Sequence, residues 1–248
     1  MRIWLLVGVG SSLGAVWGSF LATLVIRWPD VQSIVAERSR CDQCGTMLSA
    51  RELLPLASYF LQRARARCCG ASIDLLHPTA EALAGAVGLV SFSSFGWEGY
   101  SSAIFGWLLL ALAIFDIRHF ILPDWLNGLL LLVGLTLPMP EAALPIVDRL
   151  IGVVVGYASL TSIALLYRKL RDRDGLGGGD AKLLAGIGAW VGWQSLPTIV
   201  VAAGMLGFMA VAILKLSGSQ IRTGTRLPLG TFLAAATWPV WMQLQITA

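Results

Sequence analysis

Apolar runs long enough to cross roughly 30 Å of hydrocarbon recur along the whole sequence. A backbone inside a bilayer has no water to bond with, so such runs must satisfy their own N–H and C=O groups, as helices do. Eight segments are candidates, at about 3–26, 80–96, 101–117, 124–138, 144–167, 180–194, 196–216 and 228–246; several are short, the fourth and sixth being candidates for a tilted or partly re-entrant path. With 56% hydrophobic and only 13% charged residues, the chain reads as an all-α polytopic membrane protein. About eight transmembrane helices and one cytoplasmic loop domain between the first two are expected. The domain boundaries follow: a first transmembrane helix at 1–26, a cysteine-containing loop at 27–78, and a transmembrane domain at 79–248.

The basic residues set the expected orientation. Arg27, Arg38, Arg40, Arg51, Arg63, Arg65 and Arg67 fall between the first two spans, and Arg118 follows the third. Arg168, Lys169, Arg171 and Arg173 follow the fifth, and Lys215, Arg222 and Arg226 separate the last two. Intervening loops carry almost none, Arg149 beside Asp148 being the exception. Alternate loops rich in Lys and Arg read as cytoplasmic, which places both termini outside. The net charge of +4 is thereby a topology signal and calls for no nucleic-acid partner. Arg2 precedes the first apolar run, yet that run is too long for a signal peptide and ends in Ile26-Arg27-Trp28-Pro29 without a small-residue cleavage site. Trp28, Trp97, Trp193 and Trp241 read as interfacial anchors. Gly8, Gly10, Gly14 and Gly18 form a stripe suited to close helix packing.

All four cysteines lie in the loop, as Cys41-Asp42-Gln43-Cys44 and Cys68-Cys69. Fifty-odd residues build little core, so a staple or docking onto neighbours is expected. A C-x-x-C pair supplies half of a tetrahedral zinc site. The vicinal pair reaches a shared metal with difficulty, so a strained four-cysteine zinc site and a metal-free relic stand as alternatives. A disulfide is the weakest option in a reducing compartment.

Two aspartates sit at the ends of apolar runs, where a charge is expensive and marks function. Asp116 closes Ala113-Ile114-Phe115-Asp116, with a boundary acid pairing with Arg118 as its plain alternative. Asp180 follows Gly177-Gly178-Gly179 and precedes Ala181-Lys182-Leu183-Leu184; its plain alternative is a helix N-cap. The glycines favour a working role, because they would let an extended peptide approach the backbone beside the acid. Asp124, after Pro123, reads as a helix start. Asp172 and Asp174, among Arg171 and Arg173, read as a solvated loop. Two carboxylates brought together share a proton, which supplies an acid and a base from one residue type. That is the equipment for peptide hydrolysis without metal or nucleophile. No H-E-x-x-H or G-x-S-x-G motif is present, and His77 and His119 are not placed for an intramembrane serine mechanism.

These segments resemble the type IV prepilin peptidases that serve type IV pili and type II secretion. The resemblance covers nearly the whole chain. It runs through Gly18-Ser19-Phe20-Leu21 with Arg27 and Pro29, Cys41-x-x-Cys44, Pro55-Leu56-Ala57-Ser58-Tyr59, Arg63-Ala64-Arg65, and Pro78 with Glu81. It continues through Asp116 to Leu122-Pro123-Asp124, Gly177-Gly178-Gly179-Asp180-Ala181-Lys182-Leu183-Leu184, and Leu227-Pro228-Leu229-Gly230. It implies Asp116 and Asp180 as the catalytic pair, with Gly177, Gly178, Gly179 and Lys182 positioning substrate and backbone. It also implies a bacterial inner-membrane enzyme that removes the short basic leader of prepilins or pseudopilins on the cytoplasmic side. Proteolysis then needs no cofactor. Many members also methylate the new N-terminus, so S-adenosylmethionine is implied only where that activity is retained. A structural zinc on Cys41, Cys44, Cys68 and Cys69 is the remaining cofactor expectation, and membrane lipid the remaining partner.

The chain departs from the pattern in its first third. Ala22 and a position near Leu53 stand where asparagine is frequent, Asp42 where proline is usual, and Ala66 where the second C-x-x-C would begin. The departures weigh against methyl transfer and zinc, and leave the aspartate segments intact. Two other classes remain as alternatives: a proton- or cation-coupled transporter using the two acids as a relay, and a non-catalytic pilus or secretion assembly factor.

Overall fold

The computed structural model describes residues 2–29, 39–137, 144–172, 177–217 and 227–247. Arg38, Arg173, Asp174, Arg222 and Arg226 lie outside them. Among the described residues the chain is helical, with no strand beyond two isolated bridges. The principal helices are α1 (Arg2–Ile26), α2 (Ala57–Leu61), α3 (Leu76–Phe95), α4 (Tyr100–His119) and α5 (Asp124–Thr136). They continue with α6 (Ile146–Arg171), α7 (Gly178–Val191), α8 (Leu196–Leu216) and α9 (Leu229–Thr247).

Among the described residues four helical runs are long and apolar enough to cross a membrane: Ile3–Ile26, Leu76–His119, Ile146–Arg171 and Leu196–Leu216. The second is 44 residues long and breaks at Gly96, whose φ of 58° is a left-handed conformation that glycine adopts without a Cβ clash. Only 11% of the most apolar stretch of α8 and 17% of that of α6 is buried. Val201, Met205 and Phe208 on α8 stay exposed. In water such faces would be unfavourable; facing lipid they are at no disadvantage. This is a membrane protein.

The chain forms two compact units, Met1–Trp107 and Leu108–Ala248. In the first, α1 packs on α3 through small residues. A Cβ added at Gly14 would strike the Ala84 carbonyl, and one at Gly18 the Ala80 carbonyl. Gly88 sits equally close to the Gly10 backbone. Backbones that approach this far hold together by dispersion, the main attraction left between helices in lipid. Three of the four stripe glycines therefore do the expected work, while Gly8 has nothing within 4 Å.

In the second unit α7 is the buried axis. From Ala181 to Val191 every residue except Lys182 is buried. Gly152 and Gly156 of α6 meet the α7 backbone at Gly188 and Leu184. On another side, Gly186 and Trp190 of α7 receive Leu130 and Gly134 of α5. The Trp190 indole N–H donates to the Leu130 carbonyl at 2.9 Å and its ring meets Trp241 edge-on at 5.7 Å. Trp241 is 1% exposed, so it is a core residue and not the interfacial anchor its place near a span end suggested. Arg149 also acquires a structural reason: its Nε donates at 3.0 Å to Ala189 O, one of the last-turn carbonyls of α7 that the helix itself leaves unpaired.

The Gly14 contact gives a direct test. Gly14→Ala is expected to destabilise the protein in detergent by about 1–3 kcal/mol through overpacking, whereas Gly8→Ala leaves unfolding unchanged or slightly improved.

Candidate active site

The second unit brings three helix ends together. α4 ends at His119, and Phe120 enters the left-handed region with φ 53°. Its N–H closes onto the Asp116 carbonyl at 2.9 Å. The chain then runs through Ile121-Leu122-Pro123 and re-enters a helix at Asp124 with Pro123 as N-cap. Asp116 thus lies on the last turn of α4, 6% exposed. Its Oδ2 accepts the Thr231 N–H at 2.8 Å, with the Thr231 hydroxyl at 3.1 Å. Thr231 belongs to the first turn of α9, where backbone N–H groups lack helical partners and favour an anion.

Asp180 comes from the start of α7. The helix begins at Gly178 with Gly177 as its N-cap, and Asp180 stands in the first turn with its own N–H on Gly177 O at 3.2 Å. The helix starts before Asp180, which is therefore a first-turn acid and not the N-cap that was the plain alternative. The Asp180 carboxyl lies within electrostatic reach of Asp116. Leu122 lies between the starts of α7 and α9, against Gly179 and Gly230. A Cβ at Gly179 would meet Leu122 at 3.0 Å; one at Gly230 would meet it at 2.9 Å and Asp116 Oδ2 at 3.0 Å. Gly178, by contrast, has nothing within 4 Å of where a Cβ would be. That leaves open backbone beside the acid.

The remaining residues of these segments are also placed. Lys182 pairs with Asp124 at 2.6 Å, both partly or largely exposed. Asp124 opens α5 as expected and in addition ties it to α7. Asn127, buried at 3% exposure, donates to the Leu122 carbonyl at 3.4 Å. Sequence reasoning passed over Leu122, Asn127 and Thr231 as separate contributors. For Thr231 a signal existed, a hydroxyl residue directly after the late Pro-x-Gly segment. Leu122 and Asn127 offer none, since one more leucine or asparagine near a helix start is unremarked without its neighbours.

In the first unit the cysteine loop is two similar knuckles. Cys41 N–H bonds Thr46 O at 2.9 Å and Gly45 N–H returns to Cys41 O at 2.9 Å. Ala66 N–H bonds Ala71 O, and Gly70 N–H returns to Ala66 O, both at 2.8 Å. Ala66 therefore occupies the place of Cys41, and Cys69 that of Cys44. Cys68 makes up the missing sulfur from two positions on. Sγ separations are 3.8 Å for Cys41–Cys69, 3.3 Å for Cys44–Cys68 and 3.9 Å for Cys68–Cys69. All four sulfurs lie within 4.8 Å of one another. Tetrahedral zinc with ~2.3 Å bonds needs sulfurs about 3.8 Å apart, so the vicinal pair does not prevent a shared metal. All four are free thiols. Hydrogen bonding to the Thr46 hydroxyl and to Cys68 brings Cys44 down to about 6, while Cys68, bonded to Cys44, is pushed up to about 12. Asp42 links this knuckle to α1: Arg27 Nε donates to it at 3.0 Å and His77 Nε2 lies 3.8 Å away. The His77 contact, with that of Arg27, holds Asp42 below the usual carboxylate range against the opposing effect of burial.

Two carboxylates converging from helix ends in a helical membrane protein have the arrangement an aspartic peptidase requires. The comparisons narrow this. Residues 12–95 match the Bacterial Peptidase A24 N-terminal domain, and residues 103–212 match the Type IV leader peptidase family. A prepilin leader peptidase/N-methyltransferase of Stutzerimonas stutzeri is 33% identical over 91% of this chain and 86% of its own length. Proteins of the same name from Xanthomonas campestris pv. campestris and Pseudomonas aeruginosa are 31% and 32% identical, over 93% and 91% of this chain and 89% and 86% of their own. No solved structure matches. The chain belongs to the type IV leader peptidase family, and its activity is that of an aspartic-type prepilin peptidase. The transporter alternative is set aside on this ground.

The Lys182–Asp124 pair is open to solvent, which limits its worth. A double-mutant cycle with Lys182→Met and Asp124→Asn, read by thermal unfolding in detergent, is expected to give a coupling below about 1 kcal/mol.

Proposed function

We propose that Asp116 and Asp180 are the catalytic pair and that they cut prepilins or pseudopilins at the cytoplasmic face of a bacterial inner membrane. In this reading the helices make about eight crossings, with the basic loops inside. The observation that carries the assignment is the meeting of the two aspartates from the end of α4 and the start of α7. One acid is buried, and the other stands beside the open backbone of Gly178. One carboxylate takes a proton from water as the water oxygen bonds to the scissile carbonyl carbon. The other delivers a proton to the amide nitrogen as the C–N bond breaks. The glycine rim gives the extended substrate backbone room, and Lys182 steadies α7 through Asp124.

The relatives' names support a second activity, methyl transfer to the new N-terminus. The first unit holds a cavity of about 540 Å³ lined by α1, the loop and the start of α3, a size typical of small-molecule sites. Its residues fit S-adenosylmethionine: Glu81 and Asp74 suit an ammonium, Arg27 and Arg40 a carboxylate, and Tyr59 and Phe20 a ring or sulfonium face. The bound donor would supply the methyl group. Glu81, 5% exposed, accepts the Leu56 N–H at 2.7 Å and so fixes the turn that presents Tyr59. The four sulfurs suit a structural zinc, which would staple a loop too small to hold itself.

The test of the peptidase assignment is mass spectrometry of a prepilin-like substrate co-expressed with the parent protein, Asp116→Asn or Asp180→Asn. Leader removal by the parent alone is expected, with an added methyl group reporting the second activity; cleavage by either asparagine variant overturns the pair. For zinc, the purified full-length protein is expected to carry about one ion per chain by elemental analysis, and Cys68→Ser to lose it as fully as Cys44→Ser. Retention in Cys68→Ser would show that the vicinal cysteine is not a ligand.

A further inference from the structure

The two aspartates are chemically alike, yet their surroundings are not. Asp116 receives two donors from one residue, the Thr231 N–H at 2.8 Å and the hydroxyl at 3.1 Å, both on Oδ2. The same hydroxyl lies 3.2 Å from the Ala113 carbonyl. A hydroxyl has one proton and two lone pairs. It can therefore give its proton to Asp116 or to Ala113, and accept when it gives to the latter. Among the described residues Asp180 is given no side-chain donor, only the backbone N–H of Gly177, so no hydroxyl faces it as Thr231 faces Asp116.

We propose that Thr231 is a positioning residue that assigns the roles within the pair, resting on the reading of Asp116 and Asp180 as the catalytic dyad. With its N–H and hydroxyl both directed at Oδ2, Thr231 favours charge on Asp116, which makes Asp116 the base and leaves the shared proton on Asp180. Asp116 takes a proton from water, and the water oxygen bonds to the carbonyl carbon. Asp180 gives its proton to the amide nitrogen, the C–N bond breaks, and a carboxylic acid and an amine leave. Asp116 is then protonated and Asp180 ionised. In that state the Thr231 hydroxyl turns its proton to Ala113 O and accepts from the Asp116 carboxyl. Transfer of the proton from Asp116 to Asp180 restores the starting state. Thr231 thus has a partner in both protonation states, which a methyl group in the same place would lack.

Among the described residues the charged groups around Asp116 are few. Asp180 faces it from α7. Phe120 to Pro123 and Leu229 to Thr231 bring no titratable side chain. Arg118 and His119 follow on its own helix, and Asp124 at the start of α5 is engaged by Lys182. A change at Thr231 therefore reads on the dyad.

The experiment is the pH dependence of cleavage of a purified prepilin-like substrate by the full-length protein in detergent, for the parent, Thr231→Val, Thr231→Ser and Asp116→Asn. Thr231→Val keeps shape and N–H but removes the hydroxyl. Its kcat is expected to fall roughly 10- to 100-fold with KM little changed, and its acid limb to move up by about one pH unit, the scale of one lost bond to a charged group. Thr231→Ser is expected to restore both. Thr231→Ala, which relieves any crowding, is expected to move the limb in the same direction as Thr231→Val. A Thr231→Val protein with the parent's kcat and acid limb overturns the proposal, as does an equal loss in Thr231→Ser or a lower kcat with the limb unmoved. Activity in Asp116→Asn would instead overturn the dyad itself, so the two failures are told apart.

Discussion

The contact between the α6 and α7 backbones at Gly152 and Gly188 is the constraint on which the peptidase unit rests. In lipid, apolar faces gain nothing by leaving solvent for one another, so helices associate where their backbones can come close. Gly152 and Gly156 permit that on α6, and Gly186 permits α5 to press Leu130 against the opposite side. α7 is thereby fixed along its length. Its first turn, with Asp180, is then held at a defined depth and rotation. The Arg149 guanidinium closes the far end on Ala189 O, so both termini of this helix are tied by polar contacts and its middle by shape.

A buried carboxylate needs donors, and the site meets that need with helix ends instead of cations. Asp116 takes the free N–H of the first turn of α9, while the basic side chain nearest by motif, Lys182, is directed to the exposed Asp124. In the proposed mechanism a cation on either acid would hold it charged and remove the proton that the pair has to share. Dipoles and hydroxyls bias the charge without fixing it. Leu122, between Gly179 and Gly230, spaces the two segments with an apolar wedge that contributes no charge of its own.

The first unit solves a different problem, that of holding a short polar loop. Asp42, which looked like a loss where the family has proline, joins Arg27 at the end of α1 to His77 at the start of α3. Ala66 looked like a lost ligand, yet the knuckle around it is intact in its backbone bonds, and Cys68 brings a sulfur from two positions on. Both departures are replacements within a preserved backbone, which is why sequence comparison by position alone judged them as erosion.

Sequence by itself determined the membrane class, the helix segments to within a few residues, the glycine stripe on α1, and the candidacy of Asp116, Asp180 and the cysteines. Those readings follow from local rules: hydropathy length, small residues at helical spacing, and charges at the ends of apolar runs. Tertiary structure alone decided what each of these meets. That Thr231 reaches Asp116 across 115 residues, that Trp241 is core and not an anchor, that Arg149 caps α7, and that vicinal cysteines converge with a distant C-x-x-C are facts of packing. They depend on rotation and depth of helices, which no single segment encodes, because each is set by the shape of its neighbours.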